Sequence, residues 1–452
     1  MANGGGRGGW LRGHPKGLAV LAGTEVAERF SYYGMTALLA LYLSKQLLLP
    51  GHAETVIGLG ALRRLFELRG PMSNQAFASL VYGWYAGLVY FTPILGGYVA
   101  DRWLGARRTV VTGALLMAAG HLAMSFDATF LLALLLLILG SGCLKGNISA
   151  QVGALYPKTA ESERAQGFTI FATGINIGSV LGPLATGATA ALYGWHFGFA
   201  LSAALMLVAL GVYLSGQRHL PDSGIRASAR EKLPPMNREE RRRSWTLVGL
   251  ILLTIPANVA YPMIWNVGIV WIDQHVDLAS PFGPVPASWF NSIDAFASIV
   301  VAAPLVALWR WQSRRGSEPS SVAKIGIGSA LFGAAALLLA LGCAFADADG
   351  RVNVLWVLAG YFGMGAAYMW FWPILLGLIA QSAPPQINAT LMGAAFLSLF
   401  VGTVLMGWVG SFYEQMGNLH FWLLDASIAL AGGAILLSLR RVFVRLLAPP
   451  QA

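Results

Sequence analysis

Glu25, Glu28 and Arg29 fall within one long apolar run. On a helix, offsets of three and four residues put Glu25 beside both of the others on a single face. Lys145 sits in another apolar run, inside Gly140-Ser-Gly-Cys-Leu-Lys-Gly-Asn147. Ionisable groups in such surroundings are costly and usually face a partner or a pathway. Two acids and two bases make a neutral set. Protonating one carboxylate turns the set positive and leaves a cation free to take a carboxylate from elsewhere. That is the chemistry of a proton-coupled binder of anions or zwitterions. The competing reading is a static charge network that only fixes helix packing. Asp294 is a further acid inside an apolar run. It is expected either to hold a substrate cation or to be satisfied by Asn291 or a helix N-terminus.

The elements that must position these residues follow from composition. Of 452 residues, 56% are hydrophobic and 11% charged, against about 25% charged in soluble domains. So few charges cannot cover a soluble surface, but they suffice where lipid does the covering. Apolar runs recur at about 18–49, 75–100, 109–126, 128–153, 166–192 and 196–214. They recur again at about 244–272, 286–309, 323–345, 352–380, 388–413 and 419–446. Each is long enough to cross a bilayer, which takes about 20 residues. The 54 glycines and 15 tryptophans suit close helix packing and interfacial anchoring.

The net charge of +10 reads as cytoplasmic loops obeying the positive-inside rule, not as a nucleic-acid surface. Arg102, Arg107 and Arg108, then Lys158 and Arg164, then Arg310, Arg314, Arg315 and Lys324, and finally Arg440, Arg441 and Arg445 fall on the side of the N-terminus if there are twelve spans. Arg63, Arg64 and Arg69, in a long first outer loop, are the exception. The expected organisation is a flexible cytoplasmic tail over 1–16, a six-helix bundle over 17–214, a basic cytoplasmic linker over 215–243 and a second six-helix bundle over 244–452. Both termini are cytoplasmic in this reading, and a plasma (inner) membrane is the expected site. Such halves suit a rocker-type transporter with its site between them. Cys143 and Cys343 offer no disulfide framework or zinc spacing. No cleavable signal is seen, so the first span is expected to direct insertion. No P-loop, HExxH or GxSxG occurs, against direct ATP coupling or an intramembrane hydrolase. His121 and His196 lie near span ends and are expected at the interface. Trp370, Phe371 and Trp372 are expected to pack helices or line a cavity wall.

His14-Pro-Lys-Gly-Leu18 followed by Glu25-Val-Ala-Glu28-Arg29-Phe-Ser-Tyr32-Tyr33-Gly34-Met35 resembles the opening of the proton-dependent oligopeptide transporter family, part of the major facilitator superfamily. Gly96-Gly-Tyr-Val-Ala-Asp101-Arg102-Trp-Leu-Gly105-Ala-Arg107-Arg108 resembles its loop between helices two and three. Phe168 to Ser179 resembles its helix-five motif, and Pro286 to Asp294 its start of helix eight. The resemblance covers about residues 14–410. It implies that Glu25, Glu28, Arg29 and Lys145 couple protons. It also implies that Tyr32, Tyr33, Tyr85 and Asn176 line a central peptide cavity, with Asn291, Asp294 and Tyr368 facing it from the second half. Asp101, Arg102, Arg107 and Arg108 would act in a cytoplasmic gate.

The chain departs from the family's pattern at several of its positions. Thr36 stands where peptide-transporting members usually place an arginine. The matching stretch of helix seven, Pro262-Met-Ile-Trp-Asn266, lacks the acid that pairs with it. Tyr368 replaces a helix-ten glutamate, Asp294 a helix-eight asparagine, Gly146 a helix-four proline and Ala395 a helix-eleven tryptophan. Asp294 would then restore, from a neighbouring helix, the carboxylate that Tyr368 removes. The reading is an all-α membrane protein of twelve helices in two six-helix bundles around a central cavity, and not an enzyme. It is a symporter importing di- or tripeptides, or peptide-like zwitterions, with protons. The alternatives are a divergent member carrying another small anion or zwitterion, or a substrate sensor that does not transport. The expected partners are the substrate, protons and membrane lipid, with no nucleic acid, no metal and no cofactor beyond the proton gradient. A monomer is expected.

Overall fold

The computed structural model describes residues 13–157, 159–221, 234–281 and 283–448. Most of the 1–16 tail, Lys158 and the middle of the 215–243 linker lie outside the described residues. Ten helical segments are long and apolar enough to cross a membrane. One of them, Asn74–Ala123, has 50 residues and turns at Gly105, where φ is 72°, so it makes two crossings. The helix Lys16–Tyr42 adds another, apolar except for its charge cluster. Among the described residues this gives twelve spans.

Span 1 is Lys16–Tyr42, span 2 Asn74–Val99, span 3 Gly105–Ala123, span 4 Phe130–Ala154, span 5 Glu161–Tyr193 and span 6 Trp195–Gly216. Span 7 runs over Arg238–His275, and span 8 over Asn291–Arg314. Spans 9 to 12 are Ser321–Ala344, Val354–Ser382, Asn388–Gly410 and Asn418–Leu447. A capping box of Asn237 and Glu240 starts span 7, so Arg238–Arg243 are helical where the sequence suggested linker. Large apolar side chains such as Leu132, Leu135, Leu207 and Val208 are exposed on the outside. In water that surface would drive aggregation; in a bilayer it is solvated by acyl chains.

Spans 1 to 6 pack on one another, as do spans 7 to 12. The halves meet where small residues let backbones touch. A Cβ on Gly83 of span 2 would lie 2.7 Å from the Cα of Gly407 in span 11, so glycine is required at that crossing. Span 5 meets span 8 through Trp289 Nε1, which donates to the Leu184 carbonyl at 2.9 Å, and Ser292 Oγ, which donates to that of Val180 at 2.7 Å. These contacts gather toward the end of the molecule away from the chain termini, called here the far end.

Span 7 is discontinuous. Pro256 and Pro262 each lack an N–H, and the helix gives way at Thr254 and again over Tyr261–Trp265, a tighter 3-10 stretch. At Asn266 the backbone is non-helical (φ −103°, ψ −95°), and a new helix, Val267–His275, follows.

Candidate functional site

On span 1, the spacing places both glutamates around one guanidinium. Arg29 Nε lies 3.0 Å from Glu25 Oε1 and makes a close ion pair with Glu28 Oε2. Glu25, Glu28 and Arg29 are all buried. A Cβ on Gly178 of span 5 would collide with the Cβ of Arg29, so the glycine brings span 5 directly against the cluster. One oxygen of each carboxylate and Nη2 of Arg29 remain buried without a hydrogen-bond partner. Buried polar groups are nearly always paired, so these atoms are open to a further polar partner.

Lys145 of span 4 lies within electrostatic reach of Glu25, Glu28 and Arg29. Among the described residues it forms no ion pair; its Nζ packs 4.3 Å from the centre of the Tyr32 ring and 5.3 Å from that of Tyr90. Arg29 lies 5.3 Å from the same Tyr32 ring. Tyr32 is therefore buried between two cations, attracting both through its π-face. The expectation was a peptide-lining tyrosine and a lysine partnering the carboxylates; the lysine reaches them at longer range, with the ring packed against it.

Tyr33 is half-buried and meets Trp265 of span 7, ring centres 5.5 Å apart. Tyr85 is buried, within electrostatic reach of Glu28. Asn176 is half-buried and makes no hydrogen bond among the described residues. From the second half, Asp294 is buried in the first turn of span 8 and accepts a 2.7 Å hydrogen bond from the Tyr261 hydroxyl through Oδ2; Trp265 and the Ala295 N–H also act on the carboxylate, while Oδ1 has no further close hydrogen bond. Asn291 is fully buried, and both its Oδ1 and its Nδ2 are unpaired, so it does not satisfy Asp294. Tyr368 stacks near Tyr261 at 5.5 Å. Tyr33 interacts electrostatically with both Arg29 and Asp294, as does Tyr90, so these tyrosines lie between the cation of one bundle and the anion of the other.

Of the expected gate residues, Asp101, Arg102 and Arg108 are exposed, and Arg102 lies over the Tyr98 ring at 5.2 Å. Arg107 donates to the Leu220 carbonyl, tying the span 2–3 turn to the chain after span 6. His121 lies in the last turn of span 3 and is fully buried, with neither ring nitrogen hydrogen-bonded. His196 also sits at a span end, where its Nε2 lies 2.8 Å from Asp127.

Sequence reasoning missed four residues. Tyr90 and Tyr261 carried no separate signal among fourteen tyrosines. Lys45 and Asp273 form an ion pair at 2.7 Å, joining the end of span 1 to the end of span 7. They lie nine and seven residues beyond Thr36 and Asn266, so these spans are bridged further toward the far end and not at the expected positions. Thr36 turns its hydroxyl onto the Tyr32 carbonyl of its own helix. At Asn266, Nδ2 instead donates to Ser79 Oγ of span 2 at 2.7 Å.

With this geometry in hand, comparison with known proteins is informative. The model of the POT family matches residues 107–238 and 235–423. The chain is 28% identical to the di-/tripeptide transporter of Lactococcus lactis subsp. cremoris, over 96% of this chain and 97% of the relative. It is 27% identical to the peptide transporter YePEPT of Yersinia enterocolitica subsp. palearctica, over 96% and 95%. Among solved structures, a variant of the peptide transporter POT in complex with alafosfalin superposes with a TM-score of 0.83, at 25% identity and over 97% of each chain.

Proposed function

The chain belongs to the POT family, and we propose that it imports di- or tripeptides, or peptide-like zwitterions, in symport with protons by alternating access. It is a transporter and not an enzyme. One observation carries the choice of cargo. A buried guanidinium with an unfilled nitrogen stands in the first bundle, and a buried carboxylate with an unfilled oxygen stands in the second. A zwitterionic peptide presents the matching pair, carboxylate to Arg29 and ammonium to Asp294. Substrate then draws the two bundles together around opposite charges.

Glu25 and Glu28 take the coupling proton in this reading. While both are ionised, Arg29 Nε is held by both carboxylates; protonating one loosens that hold and leaves guanidinium charge for the substrate carboxylate. Lys145 responds through Tyr32, and Tyr33, Tyr85, Asn176, Asn291 and Tyr368 shape the remaining wall. No cofactor is needed beyond the gradient. One charge moved through 100 mV supplies about 2.3 kcal/mol, more than the 1.4 kcal/mol, roughly, of a tenfold concentration ratio.

The positive residues at the end carrying both chain termini support a cytoplasmic placement of that end in a plasma (inner) membrane. The far-end contacts then close the outside, and the bundles part toward the cytoplasm. The chain divides into bundles 17–214 and 244–452, and works as a monomer.

Uptake of labelled dipeptide into proteoliposomes, with and without an imposed pH gradient, tests the reading. Accumulation above equilibrium only with the gradient is the expected result. Proton-driven uptake of other small anions or zwitterions with no dipeptide flux would replace the cargo. Dipeptide binding without flux would make the chain a sensor.

A further inference from the structure

A basic groove lies on the lipid-facing surface of the second bundle, remote from the central site. Its walls are the first turns of span 9, at Ser320, Ala323 and Ile327, and the last turns of span 12. On span 12, Leu437, Arg440, Arg441, Val444 and Arg445 follow one another at helical spacing, so three arginines and two apolar side chains share a face. The groove encloses about 650 Å³. Its foot is set where the two helices come closest: a Cβ on Gly433 would lie 2.8 Å from Ala330 N, and one on Gly326 3.0 Å from the Leu437 side chain. Beyond that crossing the helices part toward their termini and leave the groove between them.

The charge in it is not neutralised by protein. Among the described residues none of the three arginines forms an ion pair, and all three are exposed. The nearest acid in sequence to this wall, Glu318, is taken up by Lys324 at 2.5 Å. The positive end of span 9, capped by Ser320, adds to the same field. Trp309 and Trp311, at the matching end of span 8, mark the interfacial level; Trp309 lies 4.1 Å from Lys324.

We propose that this groove binds an anionic phospholipid, its headgroup phosphate held by Arg440, Arg441 and Arg445 and its acyl chains laid along Ile327 and Leu437. Guanidinium forks suit phosphate oxygens. Basic pockets between helices at the membrane surface recognise such headgroups. An apolar lower wall continuous with the bilayer favours a lipid over a free phosphate, for which those side chains would serve no purpose.

The test uses the full chain in phosphatidylcholine bilayers containing a minor fraction of spin-labelled phosphatidylglycerol, with the motionally restricted fraction as readout. The parent protein is expected to select phosphatidylglycerol over labelled phosphatidylcholine. Replacing Arg440, Arg441 and Arg445 together by Gln should reduce that selectivity at least about tenfold. Replacing Arg238, Arg241 and Arg242, which lie at the same end but outside the groove, should change it less than about twofold. Single Gln variants, each expected to lose about two- to fourfold, decide the matter should the triple variant fail to insert. Equal losses in the groove and control variants would reduce the effect to general surface charge and overturn the proposal. So would unchanged selectivity in the groove variants. Displacement of the lipid by millimolar glycerol phosphate would make the site one for a free phosphate.

Discussion

Lys45 Nζ and Asp273 Oδ2 sit 2.7 Å apart and connect the two bundles at the far end. Their side chains are 47% and 21% exposed, so the pair contributes modestly, about 0.2–1 kcal/mol. Asp273→Asn is predicted to shift the balance between far-end-closed and far-end-open forms by at most about fivefold, read from spin-label distances across that end. Exchanging the two residues should restore the parental balance. A population unchanged by Asp273→Asn would remove the pair from gating.

Glu25→Gln and Glu28→Gln are each predicted to abolish uphill uptake while leaving exchange down a gradient. Each variant fixes in place a neutral neighbour of Arg29, so substrate still binds but no proton is exchanged with it. Undiminished pH-driven accumulation in both variants would take the cluster out of the mechanism.

Because Tyr32 touches both cations through its ring, its hydroxyl is dispensable in this account. Tyr32→Phe should transport like the parent. Tyr32→Leu should lose about 0.5–2 kcal/mol of support for the charged form of Lys145, seen as a displaced pH profile of uptake. Lys145→Ala should lose pH dependence and rate together. Equal behaviour of the Phe and Leu variants would mean that the ring only fills space.

Asp294→Asn should weaken binding of a free dipeptide by roughly 1.5–3 kcal/mol and barely affect an N-acetylated one. Tyr261→Phe removes one hydrogen bond to the same carboxylate and should alter free-peptide affinity in a way that Asp294→Asn masks. Equal losses for free and acetylated ligands would assign Asp294 to the fold, and no loss for either would favour another cargo.

Outside the membrane, the hydrogen bond from Lys324 holds the Glu318 carboxyl below its ordinary range. A carboxylate lowered on folding stabilises the folded state above its unfolded value, and that stabilisation is lost as pH falls through the folded value. Thermal midpoints of the parent and of Glu318→Gln should therefore differ at neutral pH and converge as pH drops below about 4. A constant gap across that window would show that the carboxylate charge is not involved.

The spans were legible because bilayer thickness imposes a length and an apolar content on each. The pairing of Arg29 with Glu25 follows from their four-residue offset alone. Other features depend on how helices rotate and where they break, which hydropathy does not encode. Lys145 was expected to partner the carboxylates and lies within their electrostatic reach, but the tyrosine three residues beyond Arg29 that packs against it gave no sign of that contact. The far-end bridge was sought at the register of Thr36 and Asn266. It was found where the two helices end, because span 7 restarts after Asn266 and so redirects Asp273. His121 lies at a span end as its sequence position indicates, but that position did not reveal that its ring is enclosed.

The interruption of span 7 has a mechanical meaning. Its last segment, Val267–His275, is tied to span 1 of the opposite bundle by Asp273, and the residue just before it, Asn266, is tied to span 2. Its earlier segments pack with spans 11 and 12. Val267–His275 is also held by its own bundle, through Trp271 against Trp422 and the Val352 N–H donated to the His275 carbonyl. It is thus gripped from both sides, and a far end that opens must strip it from one of them, so the choice of side decides which surface of this segment is uncovered.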